Sequence, residues 1–296
     1  MIDFNNQISI GIVGAGALGG ALAISLNSAG YKVSSVASRS IESSNRLAEQ
    51  IQSLNSFETI QEVANCSDLV FITTPDNIIE QIANETKWRN SQGVVHCSGV
   101  SSLDILKNVA SYGAIPGSFH PMQAFADATS GARNITGITF GIEGEKLMVD
   151  FLTQMAKDLL AKPIILNAES KPLYHLTGVM MGGLLTSLAI GTATLWTKIG
   201  MDRDQGLEAL IPMMKGVTNN LKTLGVPNAI AGPYARGDLG TIKTHMLTLE
   251  KQAPEVLPLY CEMALMGLSA AIEKNTLDKK TEEAIRRCIL DFKKGK

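Results

Sequence analysis

The sequence predicts an α/β protein: a Rossmann-type, doubly wound parallel sheet followed by an all-helical domain. Three observations carry this. Strand-like apolar runs alternate with helix-like segments through the first half, a glycine-rich turn joins the first such pair, and after Asn167 the strand-like runs stop. A chain of 296 residues is also longer than one typical core supports, so two domains are expected.

The elements follow in order. "QISIGIVGAG" is an apolar strand, and "ALGGALAISLNSAG" a helix stopped by Gly30. "YKVSSVAS" is a second strand and "SIESSNRLAEQIQ" a polar-faced helix. "SDLVFITTP" is a continuous apolar run closed by Pro75, as suits a strand buried on both faces. "GVVHCSG", "GAIPGSFHP", "ITFGIEG" and "KPIIL" supply further strands, with a helix over roughly residues 145–159 between the last two. This rhythm implies parallel strands with right-handed crossovers. Residues 170–293 read as helices separated by "GMDRD", "GVPNAIAGPYARGD" and "NTLD". Ser170 is placed as the N-cap of the first, with Pro172 inside its first turn. The expected division is therefore residues 1–167 and 168–296.

Composition narrows the function classes. Apolar residues are 45% and charged residues 18%, and the net charge of −2 offers no electrostatic case for nucleic acid or an anionic membrane surface. Cys66, Cys97, Cys261 and Cys288 are far apart and read as reduced thiols of a cytosolic protein. The first residues lack the basic segment of a secretion signal. The four histidines show no metal-ligand spacing, so no metal is expected.

One stretch asks for a decision. Between His175 and Lys198 lie 22 residues without a formal charge, long enough to cross a bilayer. Ten of them are Gly, Ser or Thr, which makes a lone span insert poorly and lets neighbouring helices approach closely. The expectation is a central, buried helix of the second domain.

"GIVGAGALGG" carries Gly14, Gly16 and Gly19 in the GxGxxG spacing, between an apolar strand and a helix. The spacing provides a tight turn, room for a pyrophosphate and close helix–strand packing, with Ala15, Ala17 and Leu18 completing the loop. Thr74 and Pro75, ending a neighbouring strand, join this cofactor site. At the end of the second strand an NAD site would place Asp or Glu, but here stand Ser38, Arg39 and Ser40, with Arg46 beyond. A guanidinium and hydroxyls suit a 2′-phosphate, so NADP(H) is the expected cofactor.

Polar islands mark a second site. His96, Ser98 and His120 leave strands at their carboxyl ends, where open α/β sheets bind ligands. Lys171 and His175 stand four apart on one helix face, and a lysine in a first turn opposes the helix dipole by about a few tenths of a kcal/mol. Desolvation would make Lys171 a proton donor to a carbonyl oxygen, with His175 orienting it. In "GPYARGDLGTIKTH", Asp238, Thr241 and His245 share a helix face, and Arg236 could hold a carboxylate. Asp238 reads equally well as an N-cap.

"GIVGAGALGGALA", "DLVFITTPD", "HCSG", "SFHPMQAF", "YH" and "GPYARGDLGTIKTH" together resemble the two-domain Rossmann-like family whose helical domain carries only a domain-of-unknown-function label. Wider relatives are ketopantoate, pyrroline-carboxylate and 3-hydroxyacid reductases and dehydrogenases, and the second domain is expected to resemble the 6-phosphogluconate dehydrogenase C-terminal domain. The resemblance implies an NADPH-dependent reductase of a small 2-oxo acid, ketopantoate first, in pantothenate synthesis. It also implies a homodimer formed through the helical domain. An imine reductase and a non-catalytic NADPH-binding sensor are the alternatives. In the wider family a Lys-x-x-x-Asn pair opens the second domain; Lys171 matches the Lys, but His175 replaces the Asn. Ser98-Gly99 stands for an Asn-Gly that holds substrate, and Gly182-Gly183 for a further Asn.

Overall fold

In the computed structural model, residues 4–294 are described. Eight strands follow the predicted apolar runs: β1 (Ser9–Val13), β2 (Lys32–Ala37), β3 (Asn55–Phe57), β4 (Leu69–Ile72), β5 (Gly93–His96), β6 (Ile115–Pro121), β7 (Thr139–Gly144) and β8 (Lys162–Ile165). They form one sheet in the order β3-β2-β1-β4-β5-β6-β7-β8. The order reverses between β1 and β4, which opens a crevice at the strands' carboxyl ends.

The sheet is parallel except between β6 and β7, which run antiparallel. This corrects the all-parallel expectation. The link from β6 does not cross back over the sheet: the Met122 amide already bonds the Thr139 carbonyl, so β7 starts beside the end of β6 and must return in the opposite direction.

Helices cover both faces. On one side α1 (Ala17–Ser28) and, later in the chain, a helix over Lys146–Asp158 pack on Ile10, Phe71, Phe119 and Phe140. The Phe119 and Phe140 rings stack at 4.1 Å between centroids. Between these two helices in sequence come α2 (Ile41–Gln50), α3 (Ile60–Cys66), α4 (Asp76–Glu85), α5 (Lys107–Ser111) and α6 (Ala128–Arg133), so the helix over Lys146–Asp158 is α7. On the other face α3 and α4 contribute Val63 and Ile79 against Val13, Val70, Ile72 and Val94. Burial on both faces is why these strands lack alternation.

The chain separates into two compact units, Met1–Gly182 and Gly183–Lys296. The division falls further along than residue 167, within a continuous helix over Lys171–Ile199. Its first part, α8 (Lys171–Val179), lies on the sheet through Lys171 and Tyr174; a π-helical turn over Met180–Leu184 then holds Gly182 and Gly183. Ser170 holds the N-cap position of α8 as expected, but with helical backbone and no side-chain cap bond to α8; its amide donates to Asn167 Oδ1 at 2.9 Å, so Asn167 closes the turn.

The second unit is helical: α9 (Leu185–Leu195), α10 (Arg203–Leu224), α11 (Pro233–Arg236), α12 (Leu239–Gln252), α13 (Leu257–Glu273) and α14 (Lys279–Lys293). Asp202 and Gln205 form a capping box that starts α10. Ile242, Met246, Cys261, Leu268, Ile285 and Ile289 make its core.

The long helix is not buried, contrary to expectation. Only 6% of its most apolar 18-residue window lies inside the chain, and Leu173, Met181 and Ile199 are 68%, 66% and 70% exposed. Hydropathy reports that a segment prefers apolar surroundings, not whether its own chain supplies them.

Candidate active site

The glycine loop is built for close backbone approach. Gly14 has φ +105°, a conformation that disfavours any side chain, and its amide bonds the Ala37 carbonyl at 2.8 Å. A Cβ at Gly19 would overlap the Gly14 carbonyl oxygen, whereas one at Gly16 would meet nothing within 4 Å. Thr73 holds the loop by donating its hydroxyl to the carbonyls of Val13 (3.0 Å) and Gly14 (2.8 Å). Helix α1 begins with Gly16 as N-cap, no side-chain cap and no acidic residue in its first turn. Its first amides are thus available to an anion. Ala15, Ala17 and Leu18 are partly exposed along this edge.

A cleft of about 490 Å³ adjoins the loop, lined among others by Gly14, Ser38, Arg39, Thr74, Ile78 and Gln81. Glu58 and Glu85 also line it. Arg39 is exposed and makes no ion pair among the described residues. The Thr74 hydroxyl is buried without a hydrogen-bond partner, while Pro75 precedes α4 as its N-cap. The structure separates Ser40 and Arg46 from this cleft's lining. Ser40 caps α2, accepting from the Ser43 amide and donating to Glu42, and Arg46 donates to the Ser43 hydroxyl. The uncapped start of α1, the Arg39 guanidinium and the orphaned Thr74 hydroxyl together fit a phosphorylated dinucleotide.

The second cluster gathers at the carboxyl ends of β4, β5 and β6 in the same unit. The Ser98 hydroxyl donates to Asp76 Oδ2 at 2.7 Å and accepts from the Ser101 amide. His120 and His175 meet edge-on at 5.8 Å between ring centroids. Both lie over Gly99, where an added Cβ would stand 2.6 Å from His120 Nε2 and 2.5 Å from His175 Cδ2. Tyr174 completes the group, its hydroxyl 3.2 Å from His120 Nδ1. Its ring rests on Gly141, where a Cβ would come within 2.9 Å. Burial holds His120 at about 4, assisted by His175 and Lys171, so its ring is neutral at pH 7. Burial also pushes the Tyr174 hydroxyl up to about 12.

His96 faces inward. It is fully buried, its Nδ1 accepts from the Ser98 amide at 3.1 Å, and burial drives it down to about 3. It therefore supports the Ser98 turn as a neutral ring. Lys171, expected as a proton donor in the cleft, has a different placement. It is 1% exposed; Nζ donates to Ser118 Oγ at 2.6 Å and pairs with Glu143 Oε2 at 3.3 Å. Burial lowers its pKa while Glu143 opposes the shift. Ser118 and Glu143 are direct partners across β6 and β7, so the lysine straps α8 to the sheet.

In the second unit Asp238 caps α12, accepting from the Thr241 amide (3.0 Å) and hydroxyl (2.6 Å). The Thr241 hydroxyl is thereby occupied. His245 Nδ1 lies 3.0 Å from the Tyr260 hydroxyl, and Arg236 is exposed in the short α11. Asp76, Glu143 and Ser118 escaped the sequence reading. Asp76 had a signal, since it follows the strand-end "TTP" as α4 begins, but its pairing with Ser98 spans 22 residues.

The family comparisons find the same two modules. Residues 4–121 match the model of a Rossmann-like domain and residues 138–266 that of a domain of unknown function, DUF2520. The chain thus carries a Rossmann-like module followed by a DUF2520 module. The sequence has no match among curated proteins. Among solved structures, protein TM1727 of Thermotoga maritima is 25% identical with a TM-score of 0.71, covering 90% of this chain and 99% of that one. A Bacteroides fragilis protein, BF3122, assigned as an NADP oxidoreductase, is 21% identical with a TM-score of 0.69, over 89% and 99%. The 1-pyrroline-5-carboxylate reductase of Streptococcus pyogenes is 17% identical with a TM-score of 0.63, over 90% and 100%.

Proposed function

We propose that the chain is an NADPH-dependent reductase of a small polar compound, with a 2-oxo acid as its substrate class and ketopantoate the first to test. The observation that carries this is the grouping of His120, His175 and the Ser98–Asp76 pair around Gly99, at the ends of strands that continue from the dinucleotide loop. The similar structures assigned as an NADP oxidoreductase and a 1-pyrroline-5-carboxylate reductase support NADPH-dependent reduction.

Bound NADPH would supply a hydride to the substrate carbon. The chain's own part is to bind and orient. Gly14 to Gly19 would hold the pyrophosphate, and Arg39 with Ser38 the 2′-phosphate. His175 would hydrogen-bond the substrate carbonyl oxygen and relay a solvent proton to it, while His120 would accept from a neighbouring O–H or N–H of the substrate. Lys171 fixes the start of α8, and hence His175, against the sheet. In the second unit Asp238, Thr241 and His245 hold α12 in place, with Arg236 exposed just before it. The test is NADPH consumption with a panel of 2-oxo acids. Turnover of ketopantoate supports the reading; tight NADPH binding without turnover of any carbonyl or imine would make the chain a sensor.

A second reading, reduction of a C=N compound, draws on one feature. The charge of Lys171 is met by Glu143, while Asp76 offers a carboxylate beside the histidines, an arrangement that tolerates a cationic imine. Adding cyclic imines to the panel separates the two.

We infer also that two copies of the chain associate through the helical portion, in a cytosolic setting. Leu173, Met181, Leu184 and Ile199 are exposed apolar side chains of the one long helix, surface that a second copy would cover, and Gly178 and Gly182 would permit close helix approach. Light scattering on purified protein decides it. A dimer supports this inference, whereas a monomer, or protein recovered only with detergent, contradicts it.

A further inference from the structure

We propose that Tyr174 is a positioning residue. Its hydroxyl keeps the imidazole hydrogen of His120 on Nδ1 and leaves a bare Nε2 facing Gly99, so this ring accepts a hydrogen bond and favours substrates with an N–H or O–H near the reacting carbon. The inference rests on reading this cluster as the active site.

Tyr174 Oη makes two contacts with His120, one to Nδ1 at 3.2 Å and one to the main-chain oxygen at 3.3 Å. A carbonyl oxygen can only accept, and the hydroxyl has one hydrogen to give. Both contacts are satisfied when the hydroxyl donates to the carbonyl and Nδ1–H donates to the hydroxyl oxygen. The neutral ring carries a single hydrogen, so Nε2 is then unprotonated. Nε2 is also the atom over Gly99, where only the missing side chain leaves it room. The tyrosine cannot readily turn away. Its ring sits edge-on to His120, 5.5 Å between centroids at 83°, and is seated on Gly141.

The test is nitrogen-15 NMR of histidine-labelled full-length protein, with the His120 signals assigned by their loss in His120→Gln. The expected spectrum has the hydrogen on Nδ1 and a pyridine-type Nε2. A protonated Nε2 in the wild-type protein overturns the proposal. Tyr174→Phe keeps the ring on Gly141 and should yield mixed tautomers. It should also lower kcat/KM at least tenfold for substrates with the donor, with little change for analogues without it. An equal loss for both, or an unchanged tautomer, contradicts the assigned role. The wild-type spectrum needs neither the variant nor turnover, so failure of the reductase reading would be seen separately.

Discussion

Lys171 and Glu143 form a buried ion pair, Nζ to Oε2 at 3.3 Å, with side chains 1% and 13% exposed. Such a pair fixes geometry more than it adds stability, but removing one member strands the other.

Lys171→Met should therefore destabilise the protein by about 3–5 kcal/mol, and adding Glu143→Gln should recover much of that. Urea unfolding measures both. If Lys171→Met instead unfolds like the wild type yet loses turnover, the lysine is the proton donor rather than a strap.

Gly99→Ala places a methyl within 2.6 Å of His120 Nε2 and 2.5 Å of His175 Cδ2. The rings must separate, at a cost of about 1–3 kcal/mol. Turnover should fall at least tenfold by the order of a 1.4 kcal/mol loss, while NADPH affinity, measured by calorimetry, stays near wild type.

Arg39→Ala removes the guanidinium lining the nucleotide cleft. A charge-assisted bond is worth about 1.5–3 kcal/mol, so NADPH binding should weaken by roughly ten- to a hundredfold. NADH binding should be unchanged. Equal binding of the two cofactors by the wild type would contradict this selection.

His96 and His120 give the protein an acid-sensitive fold. Their folded pKa values, about 3 and about 4, lie below the ordinary 6.5 because burial disfavours the charged ring. Between those limits the unfolded chain binds more protons, so stability is full above about pH 6.5 and falls as pH decreases. For His96 alone the slope approaches about 1.4 kcal/mol per pH unit. Chemical denaturation at pH 7 and pH 5 should show the loss, and it should shrink in His96→Asn if that variant folds.

Much of the nucleotide half was legible because its signals are local. An apolar strand, the Gly14–Gly19 spacing and the helix after it are adjacent in sequence; in the second unit, Asp238 with Thr241 likewise makes a cap within three residues. What escaped was non-local. The Ser98–Asp76 and Lys171–Glu143 pairings join residues 22 and 28 positions apart, which neither propensity nor spacing predicts. The direction of β7 escaped because strand composition is indifferent to whether its neighbour is parallel. Ser170 and Asn167 are both competent turn-formers, and only the backbone shows that Asn167 closes the turn.

The most direct test of the central claim is a crystal structure with NADP bound. The account predicts the pyrophosphate on the Gly14–Gly19 amides, the 2′-phosphate on Arg39, and C4 of the nicotinamide within reach of a ligand at His120 and His175. A nicotinamide lying away from both histidines, or no dinucleotide in the loop at saturating concentration, would contradict it.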